Sequence, residues 1–319
     1  MFRICAALVA CLIALTAPPA GAADSYPQKP IRLIVPFAPG GATEVLARAL
    51  SDKLTEALGA SVVIDTRPGA GSTIGVGMAA RSDPDGYTLL WTSASYTFVP
   101  SIYKDLPYDP VKDFKPVTMV GSVPNLLVVH PSVPVTNVKQ LIALARKHPG
   151  EIYYGSAGRG SNLHLTTELF LHMAKIRMLH VPYKGGGPAM IALMGGEVHM
   201  MMPGLQSALP YARSGRMRAL AVSTRQRAPA LPELPTIDES GVPGYDKAVW
   251  IGLFAPAATP EPIISHVYQA VSRVLKNPDV VKRLAAEGAV ALGNPPAEFD
   301  AFVRSEITAW AKLIHDMKL

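Results

Sequence analysis

The chain has 319 residues, of which 49% are apolar and 17% are charged, and 30 basic against 24 acidic side chains give a net charge of +6. The apolar share is ample for a packed core, which excludes a disordered or collagen-like chain despite 30 prolines and 26 glycines. This length predicts two domains, each large enough to bury its own core. Because the basic residues are scattered rather than clustered, we expect no nucleic-acid partner.

The first 22 residues have the three parts of a secretory signal peptide. A cationic start at Arg3 precedes an apolar run over 4–17 that is too short to span a bilayer, and small residues ending at Ala22 fit a signal-peptidase site. A lipoprotein site at Cys11 is the alternative, disfavoured because the longer apolar run follows that cysteine. Cleavage after Ala22 would remove both cysteines, Cys5 and Cys11, and with them disulfides, thiolate metal ligands and a cysteine nucleophile. We expect an exported protein, located in the periplasm of a Gram-negative cell.

Short apolar runs alternate with segments of helical periodicity, which predicts an α/β fold with mostly parallel sheets. The expected strands lie at 31–35, 61–65, 87–92, 117–120, 126–129, 152–154, 178–181, 198–202, 217–223 and 249–254. The expected helices lie at 43–58, 72–80, 138–147, 162–174, 188–194, 205–214, 262–276, 278–287 and 297–318.

The last helices are predicted to cover the first sheet, so that the chain crosses twice between two lobes, near Pro124 and near Ala248. The predicted units are a signal peptide over 1–22, a discontinuous first lobe over 23–124 plus 249–319, and a second lobe over 125–248. Two crossing segments form a hinge beside a cleft, and clefts of this kind hold ligands.

Three glycine-rich loops connect a strand to the start of a helix: the first loop over 36–44, the second loop over 154–162 and the third loop over 181–188. Adjacent glycines allow a ligand to approach the backbone, and free N–H groups at a helix N-terminus bind anions without a side-chain cation. Each loop alone is equally explained as an ordinary turn. Arg159 in the second loop fits either a carboxylate partner or solvent, and His164 either a ligand or a structural role. Such loops in both lobes indicate a cleft that holds an anion from two sides.

The sequence contains few features that are typical of a catalytic, cofactor or metal site. A glycine pattern at 69–75 resembles a dinucleotide fingerprint, but its third glycine falls one place late and Pro68 intrudes. The sequence contains no G-x-S-x-G elbow and no H-E-x-x-H helix, and its eight histidines are dispersed. We therefore predict neither catalysis nor a metal or cofactor.

Seven segments occur in one order: PFAPGG at 36–41, RPGAG at 67–71, PDGYTLL at 84–90, LPYDPVKDF at 106–114, HVPYKG at 180–185, RALAV at 218–222 and GLFAP at 252–256. With them the chain resembles the Bug (TctC-type) extracytoplasmic solute receptors over essentially its whole mature length. The resemblance implies a two-lobed type II periplasmic binding (Venus flytrap) fold, without catalysis. Such receptors deliver a small carboxylate to the membrane subunits of a tripartite tricarboxylate transporter, and we expect a monomer.

The resemblance also implies a ligand site, in which the first loop holds a carboxylate through backbone amides and a hydroxyl. The predicted ligand-binding residues are Phe37, Gly40, Gly41, Ala42, Thr43, Ser93, Ser156, Gly158, Arg159, Ser161, Asn162, His164 and Tyr183.

Three departures from the family pattern bear on the ligand: Ala42-Thr43-Glu44 in the first loop, Arg159 where a small polar residue is common, and Pro203-Gly204 in place of an Asp-Asn pair. Loss of that acidic group disfavours amino acids, so we predict a di- or tricarboxylate or an aromatic carboxylate. A carboxylate receptor that reports to a two-component sensor kinase remains the alternative, and an exported hydrolase on the same fold is a more distant one.

Overall fold

The structure is a computed structural model that describes residues 26–286, 288–317 and 319. The predicted signal peptide with Cys5 and Cys11, and the predicted helix ends at Glu287 and Lys318, lie outside the described residues. None of the helices within the described ranges is both long and apolar enough to cross a membrane.

Strands and helices alternate over most of the described chain. In chain order the strands are β1 (Ile31–Val35), β2 (Val62–Thr66), β3 (Thr88–Ser93), β4 (Phe114–Pro124), β5 (Leu126–Val129), β6 (Tyr153–Ser156), β7 (Leu179–Pro182), β8 (Met200–Met201), β9 (Arg218–Val222), β10 (Ala248–Pro256) and β11 (Val290–Ala291). The α-helices are α1 (Ala42–Leu58), α2 (Thr73–Ala80), α3 (Ser95–Ile102), α4 (Val138–Lys147), α5 (Asn162–Ala174), α6 (Gly186–Met194), α7 (Leu205–Arg213), α8 (Glu261–Lys276), α9 (Pro278–Ala286) and α10 (Pro296–Met317).

The strands form two sheets, which confirms the predicted α/β fold. The first sheet has the order β11-β4-β10-β3-β1-β2, and the second has the order β7-β6-β8-β5-β9. Helix α8 packs on α1, while α10 packs on α3 and β4. The C-terminal helices therefore lie on the first sheet, together with the N-terminal third of the described chain.

The prediction of mostly parallel sheets is wrong, because both sheets are mixed. Strands β1, β2 and β3 pair in parallel, but β10 runs antiparallel to β3 and β4, and β5 runs antiparallel to β8 and β9. The cause is the route of the chain: β4 ends where the chain leaves the first sheet, and β10 begins where it returns, so that Pro124 pairs with Ala248.

Other differences from the predicted elements are local. Helix α3, which contains Pro100, and strand β11 were not predicted, and the strand expected over 198–202 is reduced to Met200 and Met201. The boundaries of the predicted lobes stay a prediction, although the chain changes sheets between β4 and β5 and again before β10.

Buried hydrogen bonds join the two segments where the chain changes sheets. The fully buried Ser223 hydroxyl accepts the N–H of Asn125 at 2.8 Å and donates to the carbonyl of Lys247. The Ser223 backbone bonds to the same two residues, since its N–H donates to Asn125 at 2.9 Å and its carbonyl accepts from Lys247 at 2.8 Å. Both crossing segments are thus tied to one residue.

Candidate functional site

The ends of the glycine-rich loops meet around one small cavity between the two sheets. Its volume is about 30 Å³. The residues that line it are Phe37, Gly41, Ala42, Thr43, Ser93, Ala157, Ser161, Asn162, Leu163, Gly186, Pro203, Gly204, Ser207 and Val249.

Four helices begin at this cavity: α1, α5, α6 and α7. Their N-cap residues are Gly41, Ser161, Gly185 and Gly204, and the three glycines offer no side chain to cap the helix. The first N–H groups of a helix have no partner within it, and they form the positive end of the helix dipole. Four such ends around one cavity, two of them in α1 and α5 of 17 and 13 residues, favour an anion.

The wall of the cavity is mostly apolar and carries a few polar groups but no charged side chain, since no Asp, Glu, Lys, Arg or His is among the residues that line it. The most conspicuous polar group is the amide of Asn162, which is 3% exposed and has no hydrogen-bond partner on either its nitrogen or its oxygen within the described chain. A buried amide in this state is costly unless a ligand or water bonds to it.

Seven of the predicted site residues line the cavity: Phe37, Gly41, Ala42, Thr43, Ser93, Ser161 and Asn162. The other six do not line it: Gly40, Ser156, Gly158, Arg159, His164 and Tyr183. Their roles in ligand binding, and those of the seven, stay predictions.

Contacts explain why several of these six do not line the cavity. The N–H of Gly40 is bonded at 3.1 Å to the carboxylate of the buried Glu44, which also pairs with Arg48. Arg159 is exposed, and its carbonyl accepts the Tyr103 hydroxyl at 3.1 Å. Tyr183 is only partly buried, with its hydroxyl 3.4 Å from Glu197.

His164 belongs to a buried cluster beneath the second loop. Its ring stacks on His180 with centroids 4.2 Å apart, and its Nδ1 accepts the N–H of Gly160 at 3.3 Å. His180 in turn hydrogen-bonds to the hydroxyl of Ser156, which accepts the N–H of Gly158 at 3.1 Å. The two imidazoles therefore support the backbone of the second loop rather than facing the cavity.

Burial controls the ionisation of this cluster. It lowers the pKa of His164 to about 3, with His180 and Arg159 adding to the effect, and it lowers the pKa of His180 to about 4, aided by Arg159. Burial raises the pKa of Glu168, whose carboxylate lies 4.0 Å from His164 and accepts the Tyr154 hydroxyl. At neutral pH both imidazoles are uncharged.

The loops of the two sides touch through glycines. A β-carbon added to Gly187 would overlap the carbonyl oxygen of Pro39, and one added to Gly71 would overlap the carbonyl oxygen of Arg159. Helix α7 contributes a polar contact, since the Gln206 amide donates to the carbonyl of Ala42 at 3.0 Å. The cleft between the sheets is therefore closed on the cavity.

Sequence reasoning missed half of the cavity wall: Ala157, Leu163, Gly186, Pro203, Gly204, Ser207 and Val249. Gly186 was in a recognised loop, and Pro203 and Gly204 were noticed only as departures from a family pattern. Ser207 and Val249 reach the cavity from α7 and β10, and no local signal in the sequence marks them.

Solved structures of periplasmic binding proteins match this fold closely. BugD is 34% identical with a TM-score of 0.89, covering 92% of this chain and 99% of its own. Rpa4515 of R. palustris, solved with adipate, is 38% identical with a TM-score of 0.89, covering 92% and 98%. MatC of Rhodopseudomonas palustris, solved with bound malate, is 32% identical with a TM-score of 0.86, covering 91% and 100%.

The two-sheet architecture with a closed cleft between the sheets defines a solute-binding protein of the periplasmic, Venus flytrap class. A family model described as the tripartite tricarboxylate transporter family receptor, TctC, matches residues 46–319. The chain belongs to this family, whose members are periplasmic solute receptors rather than enzymes.

Proposed function

We propose that this receptor captures a small carboxylate in the cavity between its two sheets and delivers it to the membrane subunits of a tripartite tricarboxylate transporter. The observation that carries the proposal is the meeting of four helix N-termini at a cavity without charged side chains. Backbone N–H groups of α1 and α5 bind the carboxylate oxygens, and the hydroxyls of Thr43 and Ser93 lie in the same wall.

The known neighbours support a carboxylate, because Rpa4515 and MatC were solved with adipate and malate. The closed contacts between the sheets support capture by closure: a ligand that enters the open cleft is enclosed when the glycine loops meet. Enclosure removes water from the anion and strengthens its interaction with the helix ends.

Binding is tested on the purified protein by isothermal titration against a panel of mono-, di- and tricarboxylates, with thermal unfolding as a second readout. A ligand at 100 times its dissociation constant is expected to stabilise the protein by about 2.7 kcal/mol. The fluorescence of Trp91 offers an independent signal, because its indole N–H donates at 2.9 Å to the carbonyl of Thr43 in the cavity wall. Failure of every carboxylate to bind would refute the proposed ligand class.

Delivery is tested separately, by uptake of the labelled ligand into cells that carry the transporter membrane subunits, with and without this receptor. Uptake that depends on the receptor supports transport. Tight binding with no effect on uptake would leave the ligand class standing and contradict the transporter partnership.

A further inference from the structure

The amide of Asn162 lines the cavity with both its donor and its acceptor unpartnered within the described chain. Asn162 is the first residue of α5, directly after the N-cap Ser161, and it is 3% exposed. Because neither of its atoms is bonded, either orientation of the amide offers one N–H donor beside one carbonyl acceptor.

A second amide nearby is fixed in its orientation. The Nε2 of Gln206 donates to the carbonyl of Ala42 at 3.0 Å, so that Oε1 is the free acceptor, and this oxygen also has no partner within the described chain. Gln206 is 7% exposed. Its Oε1 lies near the cavity residue Gly204, since a β-carbon added to that glycine would be 3.4 Å from this oxygen. The free acceptor of Gln206 therefore lies beside the cavity, behind the wall residue Gly204, whereas that of Asn162 lies in the wall itself.

A plain carboxylate leaves such acceptors unsatisfied, because an ionised carboxylate only accepts hydrogen bonds. A ligand that satisfies Asn162 on both atoms needs a carboxylate oxygen for the amide N–H and a donor on the neighbouring carbon for the amide oxygen. A hydroxyl supplies that donor without a charge. An ammonium group supplies it with a positive charge, which four positive helix ends oppose and no acidic side chain in the wall offsets.

We propose, building on the carboxylate-binding function proposed above, that the ligand is a 2-hydroxycarboxylate and that Asn162 is the residue that selects it. Asn162 bonds to the carboxylate and the 2-hydroxyl together.

The test is a comparison of matched pairs that differ only in the 2-hydroxyl: lactate with propionate, malate with succinate, and mandelate with phenylacetate. Dissociation constants are measured by isothermal titration on the full protein. In the pair whose carbon skeleton fits the site, the hydroxy acid is expected to bind on the order of tenfold more tightly than its deoxy partner.

Two variants separate selection from folding. Asn162→Leu has a similar size without either polar atom, and its ratio of deoxy to hydroxy dissociation constants is expected to fall to about one. Gln226→Leu removes an exposed amide remote from the cavity and is expected to keep the wild-type ratio. If Asn162→Leu fails to fold, the ratio of deoxy to hydroxy dissociation constants in the wild-type protein still tests whether the site prefers a 2-hydroxyl group.

The outcomes distinguish the two proposals. Carboxylates that bind equally with and without the hydroxyl, or 2-amino acids that bind more tightly than 2-hydroxy acids, would overturn the role of Asn162 and leave a carboxylate receptor standing. A preference for the hydroxyl that persists in Asn162→Leu would also overturn that role. Absence of binding by any carboxylate would overturn the proposed function itself.

Discussion

Gly187, in the first turn of α6, lies against the carbonyl group of Pro39 so closely that a β-carbon at position 187 would overlap the carbonyl oxygen. Residue 39 follows β1 of the first sheet, whereas α6 belongs to the second. The contact therefore joins the two sides of the cleft through backbone alone.

Gly187→Ala is expected to hinder closure. The added methyl group must push the third loop away from Pro39, a steric cost of about 1–3 kcal/mol that falls on the closed form. We expect ligand affinity to drop on the order of tenfold by isothermal titration, while the ligand-free protein keeps its thermal stability.

Gly195→Ala is the matched control, because it adds one methyl group at the C-cap of the same helix α6, where the new β-carbon would meet its nearest neighbour at an ordinary 3.4 Å. Equal losses of affinity in the two variants would show that the contact with Pro39 is not the cause.

Ser223→Ala is expected to destabilise the fold by about 1–3 kcal/mol. The substitution leaves the buried N–H of Asn125 without its 2.8 Å acceptor and the carbonyl of Lys247 without a donor. Urea unfolding measures the loss. Ser214→Ala, which removes an exposed hydroxyl at the end of α7, should change the unfolding free energy by less than about 0.5 kcal/mol. A similar small change for Ser223→Ala would contradict the expectation.

Acid is expected to destabilise the protein through its buried histidines. The unfolded chain binds protons on His164 and His180 near pH 6.5, but the folded chain does so only near pH 3 and pH 4. Between these values the unfolded state carries more protons, so that stability falls as pH falls from 6.5 towards 4 and continues to fall to about 3. Glu168, with its raised pKa, acts in the opposite direction.

His180→Gln isolates the histidine contribution, since the amide can replace Nε2 as the partner of Ser156. Its urea midpoint should change less than that of the wild type between pH 7 and pH 4. His315→Gln, at a side chain 90% exposed, should leave the pH dependence unchanged. An equal pH dependence in wild type and His180→Gln would rule out this cause.

Glu44→Gln is expected to tighten the binding of a carboxylate several-fold. The buried Glu44 carboxylate lies in the first turn of α1, where its negative charge opposes an anion at the same helix end. A glutamine oxygen can still accept the N–H of Gly40. The helix itself should lose about 0.3–1 kcal/mol of dipole stabilisation.

Titration calorimetry on Glu44→Gln and on Glu56→Gln tests this expectation. Glu56 is 73% exposed near the other end of α1 and pairs with Lys53, so its neutralisation should leave affinity unchanged. Unchanged or weaker binding by Glu44→Gln would contradict an electrostatic role for Glu44.

Much of the fold was accessible from local sequence patterns. Helical periodicity placed α1 and α5 within one residue of their observed bounds. Helix α3 was missed because Pro100 lies inside it. The direction of β10 was missed because it depends on the path of the chain between the sheets, which no periodicity reports.

The candidate site was likewise predicted where a local sequence feature marks it and missed where only the fold brings residues together. The first loop was identified because its glycines adjoin a helix start, which is a local feature. Val249 and Ser207 were missed because the fold alone brings them to the cavity. The stacking of His164 on His180 likewise joins residues sixteen positions apart and could not be inferred from spacing.

The absence of charged side chains from the cavity wall has an evolutionary consequence. An arginine-based anion site is lost by one substitution, but no single side-chain replacement removes the N–H groups of four helices. On the function proposed above, descendants of such a receptor can exchange a residue such as Asn162 and bind a different molecule, while every intermediate still recognises an acid. The backbone that binds the negative charge and the side chains that select the molecule can therefore change independently during evolution.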